Sequence, residues 1–415
     1  MQPTLGWAGL SRSALKRAEA QLMHDSEGMR DELGVLSLHT GYANRFFPGT
    51  SVQQTRLRYA LFVPWQIQLL LKQGEAIRPR QARAALEMAE LALAKRLPDV
   101  DREGTIGRRT AKLGKPVAIA PSQSYWVALR NWNILASDLF GVSAVRSELF
   151  ARWSGWPQIT RPRIKGKDKD DDNNPIQSLI PLFHPRLPEP PRAFLGSGPL
   201  DFNLGAEEQK FLRTRLMETR RSIDGMPSYL ANLVQQGVSP SRNSYPWDPM
   251  LSKYADSADR AALERARGAA SLAAVTRAIY NAMVESLQEF RDGGSPSGRH
   301  RDRLLEVLAE HGSLAEKLDI GGLPLDGVEI GEFSNILVHI QTWLRKGRRD
   351  PLAKDLLEVL SRWELRRKGS ERARLSGTMS ARSARNLWAG DETVLAGPIE
   401  YRWSLVRRFL LDLEG

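Results

Sequence analysis

The sequence predicts a mainly α, multi-helical protein, built as two helical domains joined by a proline-rich extended connector. Three observations lead there. Apolar residues recur at helical spacing through most of both halves of the chain. Nine prolines gather between Pro157 and Leu204, where they forbid continuous helix and leave sheet interiors short of donors. A length of 415 residues with 41% apolar and 26% charged side chains is enough for more than one core. The expected domains are residues 1–156 and 206–415, with the connector at 157–205.

Each element follows from local chemistry. Ser11 or Ser13 caps a first helix running to about Glu32, with Leu15, Ala18, Leu22 and Met29 near helical spacing, and Gly34 stops it. After the FFPG turn, Thr50 or Ser51 caps a second helix that continues through the apolar run Ala60–Leu71, kinked where Pro64 removes a donor. Pro79 suits the first turn of a third helix, ending near Pro98. Residues from Asp99 to Pro121 hold no period and read as a loop with room for minor β structure. SQSYWVALRNWNIL and VSAVRSELFARW resume helix and close the first domain near Trp156. In the second half, helices are expected over Glu207–Arg221, Pro227–Gln236, Asp256–Phe290, His300–His311, Glu332–Arg345, Pro351–Lys368, Ser380–Trp388 and Tyr401–Leu413.

Composition excludes several classes. Without a single cysteine there are no disulfides, thiolate metal sites or cysteine nucleophiles. MQPTLGWAGLSRS lacks the charged and apolar regions of an export signal, and Ala60–Leu71 is too short for a membrane span, so a cytoplasmic protein with no membrane partner is expected. GRRTAKLGKP resembles a phosphate-binding loop only superficially. Six residues separate Gly107 from Gly114 where that motif has four, and Pro116 stands where Ser or Thr would hold magnesium. The six histidines show no HxxxH or HExxH spacing, and Asp170–Asp172 sit among Lys165, Lys167 and Lys169 as a self-compensating charge block. No catalytic residue, metal ligand or cofactor is therefore assigned.

The charge is informative. Of the net +12, the stretch Lys72–Lys115 carries 11 Lys/Arg against 6 Asp/Glu and Ile340–Arg385 carries 13 against 5. Such clustering suits a polyanion, although a solvated helix face gives the same count. The second segment is the stronger nucleic-acid candidate: Arg345, Lys346, Arg348 and Arg349 end one helix, and Arg362, Arg366, Arg367 and Lys368 end the next, with Trp343 and Trp363 interleaved for stacking on bases. A different question attaches to Arg56, Arg58 and Tyr59, which stand just before the apolar run. Asp31 and Glu32 in MRDELG are the nearest acids, so a structural ion pair is one reading. A phosphate held by Arg56 and the Gly49–Thr50–Ser51 turn is the other.

Several strings together are specific: GWAGLS at Gly6–Ser11, RDELG at Arg30–Gly34, FFPGTSVQQTRLRYALFVPW at Phe46–Trp65, SYWVALRNWNI at Ser124–Ile134 and YRWSLVRRFLLDLEG from Tyr401. They resemble the bacterial domain-of-unknown-function family 6361, and the resemblance covers nearly the whole chain. It brings no reaction with it. It implies a setting in anti-phage defence islands beside helicase-like and phospholipase-D-like nuclease genes. The leading expectation is a non-enzymatic, DNA-binding or accessory subunit of such a system. The alternatives are a nuclease whose site assembles from distant residues, and a pure protein–protein scaffold.

Overall fold

The fold follows from which apolar faces must be covered. In the computed structural model, residues 33–73, 79–98, 104–115, 117, 119–137, 143–151, 153, 181–242, 244–347, 350–388 and 394–415 are described. In chain order the helices are α1 (Leu36–Phe46), α2 (Tyr59–Lys72), α3 (Pro79–Arg96), α4 (Arg108–Lys112), α5 (Pro121–Asn131), α6 (Arg146–Ala151), α7 (Arg192–Leu195) and α8 (Ala206–Met217). They continue as α9 (Tyr229–Gln235), α10 (Pro249–Ser252), α11 (Ser257–Phe290), α12 (Arg299–Lys317), a 3-10 turn (Ile320–Asp326), α13 (Phe333–Arg345), α14 (Lys354–Lys368), α15 (Met379–Asn386) and α16 (Trp403–Asp412). β structure among the described residues amounts to isolated bridges, such as Leu135 with Phe183. The mainly α class is as expected.

The chain divides into two compact units that are not contiguous in sequence. Unit 1 comprises Met1–Tyr42 and Arg260–Tyr401; unit 2 comprises Ala43–Asp259 and Arg402–Gly415. This differs from the division at 157–205 read from the sequence. Proline content marks where helix stops, whereas unit boundaries are set by long-range packing, and two of them fall inside α1 and α11.

In unit 2, α2 is the central element. Tyr59, Leu61, Phe62, Val63, Trp65 and Ile67 are all buried, so the helix is apolar on every side and must be covered all round. It begins at Tyr59, not at Thr50 or Ser51. Upstream, the Gln54 side chain occupies the backbone that a helix would use: its Oε1 accepts from Ser51 N, and its Nε2 donates to Gly49 O and Ser124 O. The Tyr125 hydroxyl accepts from Thr55 N and Arg56 N and donates to Arg56 O, which fixes residues 55–56 as extended chain. Gly49 has a left-handed φ of 82°, and a Cβ there would stand 2.6 Å from Trp132 Nε1.

The described part of the connector, 181–204, is not a solvated tether. Phe194 stacks on Phe62 and meets Trp65 edge-on, Phe202 packs against Tyr59, and Trp65 Nε1 donates to Pro188 O. The short helix α7 and the chain after it leave carbonyls unpaired, and Arg96 satisfies three of them, at Ala193, Phe194 and Gly198. Proline forbids helix but not burial.

Unit 1 is organised on the long helix α11, whose alanines at 266, 269, 270, 273 and 274 are buried and let neighbours approach closely. Leu337, Ile340 and Trp343 of α13 and Leu360 and Trp363 of α14 are buried in its core. Leu38, Tyr42 and Phe46 fall one turn apart on α1, so burial produces a helix between Gly34 and the FFPG turn, where the sequence reading placed none. The helix expected from Ser11 or Ser13 to Glu32 lies outside the described residues, as does the Lys165–Asp172 charge block.

Candidate functional site

Arg56 and Arg58, in unit 2, meet different acids. Arg56 places Nε and Nη2 on the Asp412 carboxylate at 2.9 and 2.7 Å, and Leu57 N donates to the same group. Burial pushes the Asp412 carboxyl above its ordinary range, against the pull of Arg56. Arg58 is bidentate to Glu208 (2.9 and 2.9 Å), and its remaining nitrogen reaches Asp201 Oδ1 at 2.9 Å. Tyr59 is buried in the helix, its hydroxyl accepting from Ile106 N. The partners of both arginines lie at least 143 residues away in sequence, which is why neighbouring acids were the only ones visible to a sequence reading. Asp31 and Glu32 lie outside the described residues. The Gly49–Thr50–Ser51 turn does not begin a helix, and its Ser51 amide is engaged by Gln54.

The basic segment lies in unit 1. Arg345 and Lys346 are exposed at the end of α13, Arg345 donating to Glu316 O. Arg348 and Arg349 lie outside the described residues. On α14, Arg362 and Arg366 are exposed and pair with exposed Glu358 (4.0 Å) and Glu332 (2.6 Å), contacts of the kind worth about 1 kcal/mol or less. Arg367 is exposed as well. Lys368 turns inward to Glu364 and the Tyr280 hydroxyl. Trp343 and Trp363 are core residues, not stacking faces: Trp363 donates Nε1 to Leu33 O, stacks on Phe333, and carries Arg366 and Arg367 over its ring.

What the sequence reading missed is the loop that follows, 369–378. Its middle is tied by two buried charges. Glu364, 0% exposed, accepts from Arg374 N and Leu375 N at 2.9 Å each, from Tyr280 Oη at 2.5 Å and from Lys368 Nζ at 2.9 Å. Arg385, 1% exposed, donates to Arg374 O and Ser376 O and is bidentate to Asp292 at 2.6 and 2.8 Å. Those two bonds hold the Asp292 carboxyl below the ordinary carboxylate range. The pinned loop thus presents exposed Arg372 and half-buried Arg374, beside Arg382, which donates to Asp292 O, and Arg291, which donates to Gly377 O. Between Arg362 and Arg385 there are eight Lys/Arg and two Glu, and one of those acids is the buried Glu364. The surface is cationic because its principal acid faces inward.

Residues 4–147 match the family of unknown function DUF6361. Over that stretch the chain is similar to DUF6361. No curated protein and no solved structure matches it. The DUF6361 region contains the PGTS turn, Arg56 and Arg58, and the helix α5 that closes over them, while the pinned loop lies beyond it. GRRTAKLG also falls inside the DUF6361 region. There Gly107 is required by packing, since a Cβ would come within 2.1 Å of Val117. Among the described residues no helix is long and apolar enough to cross a membrane.

Proposed function

We propose that this chain is a non-enzymatic, nucleic-acid-binding subunit that holds a phosphate backbone on the arginine-rich surface around the loop 369–378. The observation that carries the reading is the pinning of that loop by Glu364 and Arg385. A loop with no helix or strand to order it is fixed by two buried charges, and its fixed backbone sets Arg372 and Arg374 in place directly after α14, which carries Arg362, Arg366 and Arg367. Preorganised cations lose little conformational entropy on meeting a polyanion, and each phosphate neutralised releases counterions. Phosphate contacts of this kind carry affinity without sequence information. On this reading the subunit works in the cytoplasm beside helicase and phospholipase-D-like nuclease proteins of an anti-phage system, the setting that the resemblance implies.

The test is fluorescence anisotropy with labelled single-stranded and duplex oligonucleotides across a salt series. The parent protein is expected to bind, with affinity falling steeply as salt rises. Changing Arg362, Arg366, Arg367 and Arg372 together to Ala should lower the log–log salt slope by about 2–3 while leaving the melting temperature in place. An unaltered slope removes this surface from the account.

A further inference from the structure

We infer that Phe290 is a base-stacking residue, and that the ligand of the arginine-rich surface is therefore a nucleic-acid strand with unpaired bases. This rests on the nucleic-acid reading above and narrows it. Phe290 is 71% exposed and is the one Phe, Tyr or Trp among the described residues that the fold leaves mostly in water. A phenyl ring in that state forgoes the burial that places aromatic side chains in cores and interfaces.

Its location gives the exposure a use. Phe290 ends α11, and the two residues after it hold the pinned loop and α15: Arg291 Nη2 donates to Gly377 O, the Asp292 carboxylate receives Arg385, and Asp292 O receives Arg382. The ring therefore stands at the edge of the cationic surface. Arg301 lies over it, with its guanidinium carbon 5.8 Å from the centroid, and is itself oriented by Glu285 and Glu289. A cation set against one aromatic beside a basic surface is an arrangement suited to a single strand: arginines track phosphates while a ring receives a base. The tryptophans of α13 and α14 cannot do this, being buried. Duplex bases remain stacked on one another and offer no free face, so the ring discriminates in favour of single-stranded DNA or RNA.

The experiment compares parent, Phe290→Ala and Phe290→Trp for binding to a labelled oligo-dT and to a duplex of the same length. Phe290→Ala is expected to weaken oligo-dT binding by about 10-fold or more, to leave duplex affinity within about 2-fold, and to melt like the parent. Phe290→Trp should retain binding. If Phe290→Ala binds oligo-dT as the parent does, while the fourfold arginine variant still loses binding, the stacking role is overturned and the phosphate surface stands. If neither oligonucleotide binds the parent, both readings fall together.

Discussion

Arg58→Ala is expected to cost about 3–5 kcal/mol of folding free energy, read as a fall in the urea midpoint at unchanged m-value. The reason is the carboxylate left behind. Glu208 is buried, and Arg58 supplies both of the guanidinium bonds that neutralise it. Removing one partner of such a pair leaves a charge in a low-dielectric site, which is far costlier than removing both. Arg58→Lys should recover little of the loss, because a single ammonium cannot span the two oxygens and also reach Asp201, as the planar guanidinium does. The double replacement Arg58→Met with Glu208→Leu should restore much of the stability, and that cycle separates a buried-charge penalty from a simple packing defect. Arg56→Ala should cost less, because Arg56 is the more exposed guanidinium and Asp412 keeps the Leu57 amide. Unchanged stability in Arg58→Ala would mean that the PGTS–QTR–RY string is not held by these ion pairs.

Glu364→Ala is expected to have a comparable effect on unit 1, about 3–5 kcal/mol, with a second consequence that Arg58→Ala lacks. Four donors lose their common acceptor: the Tyr280 hydroxyl, the Lys368 ammonium and the amides of Arg374 and Leu375. Buried donors left unmade each cost about 1–3 kcal/mol, partly relieved by relaxation toward water. Because two of the four belong to the 369–378 loop, the loop should lose its order. The Arg374 and Leu375 amides are then expected to exchange with solvent many-fold faster, and nucleic-acid affinity should fall although no exposed cation has been removed. Glu364→Ala that retains full affinity with a disordered loop would show that preorganisation is irrelevant to binding.

How much of this was legible in the chain varies element by element, for physical reasons. The long helix α11 and the C-terminal helices were readable within a few residues, because their apolar residues keep helical phase and their ends carry glycine or proline. The start of α2 was not. Nothing local reveals that the Tyr125 hydroxyl and the Gln54 side chain claim the backbone groups of residues 49–56. The partners of Arg56 and Arg58 were out of reach for the same reason, since only the fold brings Asp412 and Glu208 to them. Glu364 reads locally as one half of an exposed i,i+4 pair with Lys368, whereas burial turns it into the anchor of a loop. Phe290 shares the helical stripe of Met283 and Leu287, so its spacing reads as core. The fold nevertheless leaves it 71% exposed, which the spacing does not reveal.

The central claim is that a loop fixed by buried charge presents its arginines to a nucleic-acid strand, and hydrogen exchange with and without saturating oligo-dT tests it most directly. Slowed exchange confined to residues 366–385 and 288–292 is the expected result. Protection elsewhere in the chain with none in these two segments, or no protection anywhere, would contradict it.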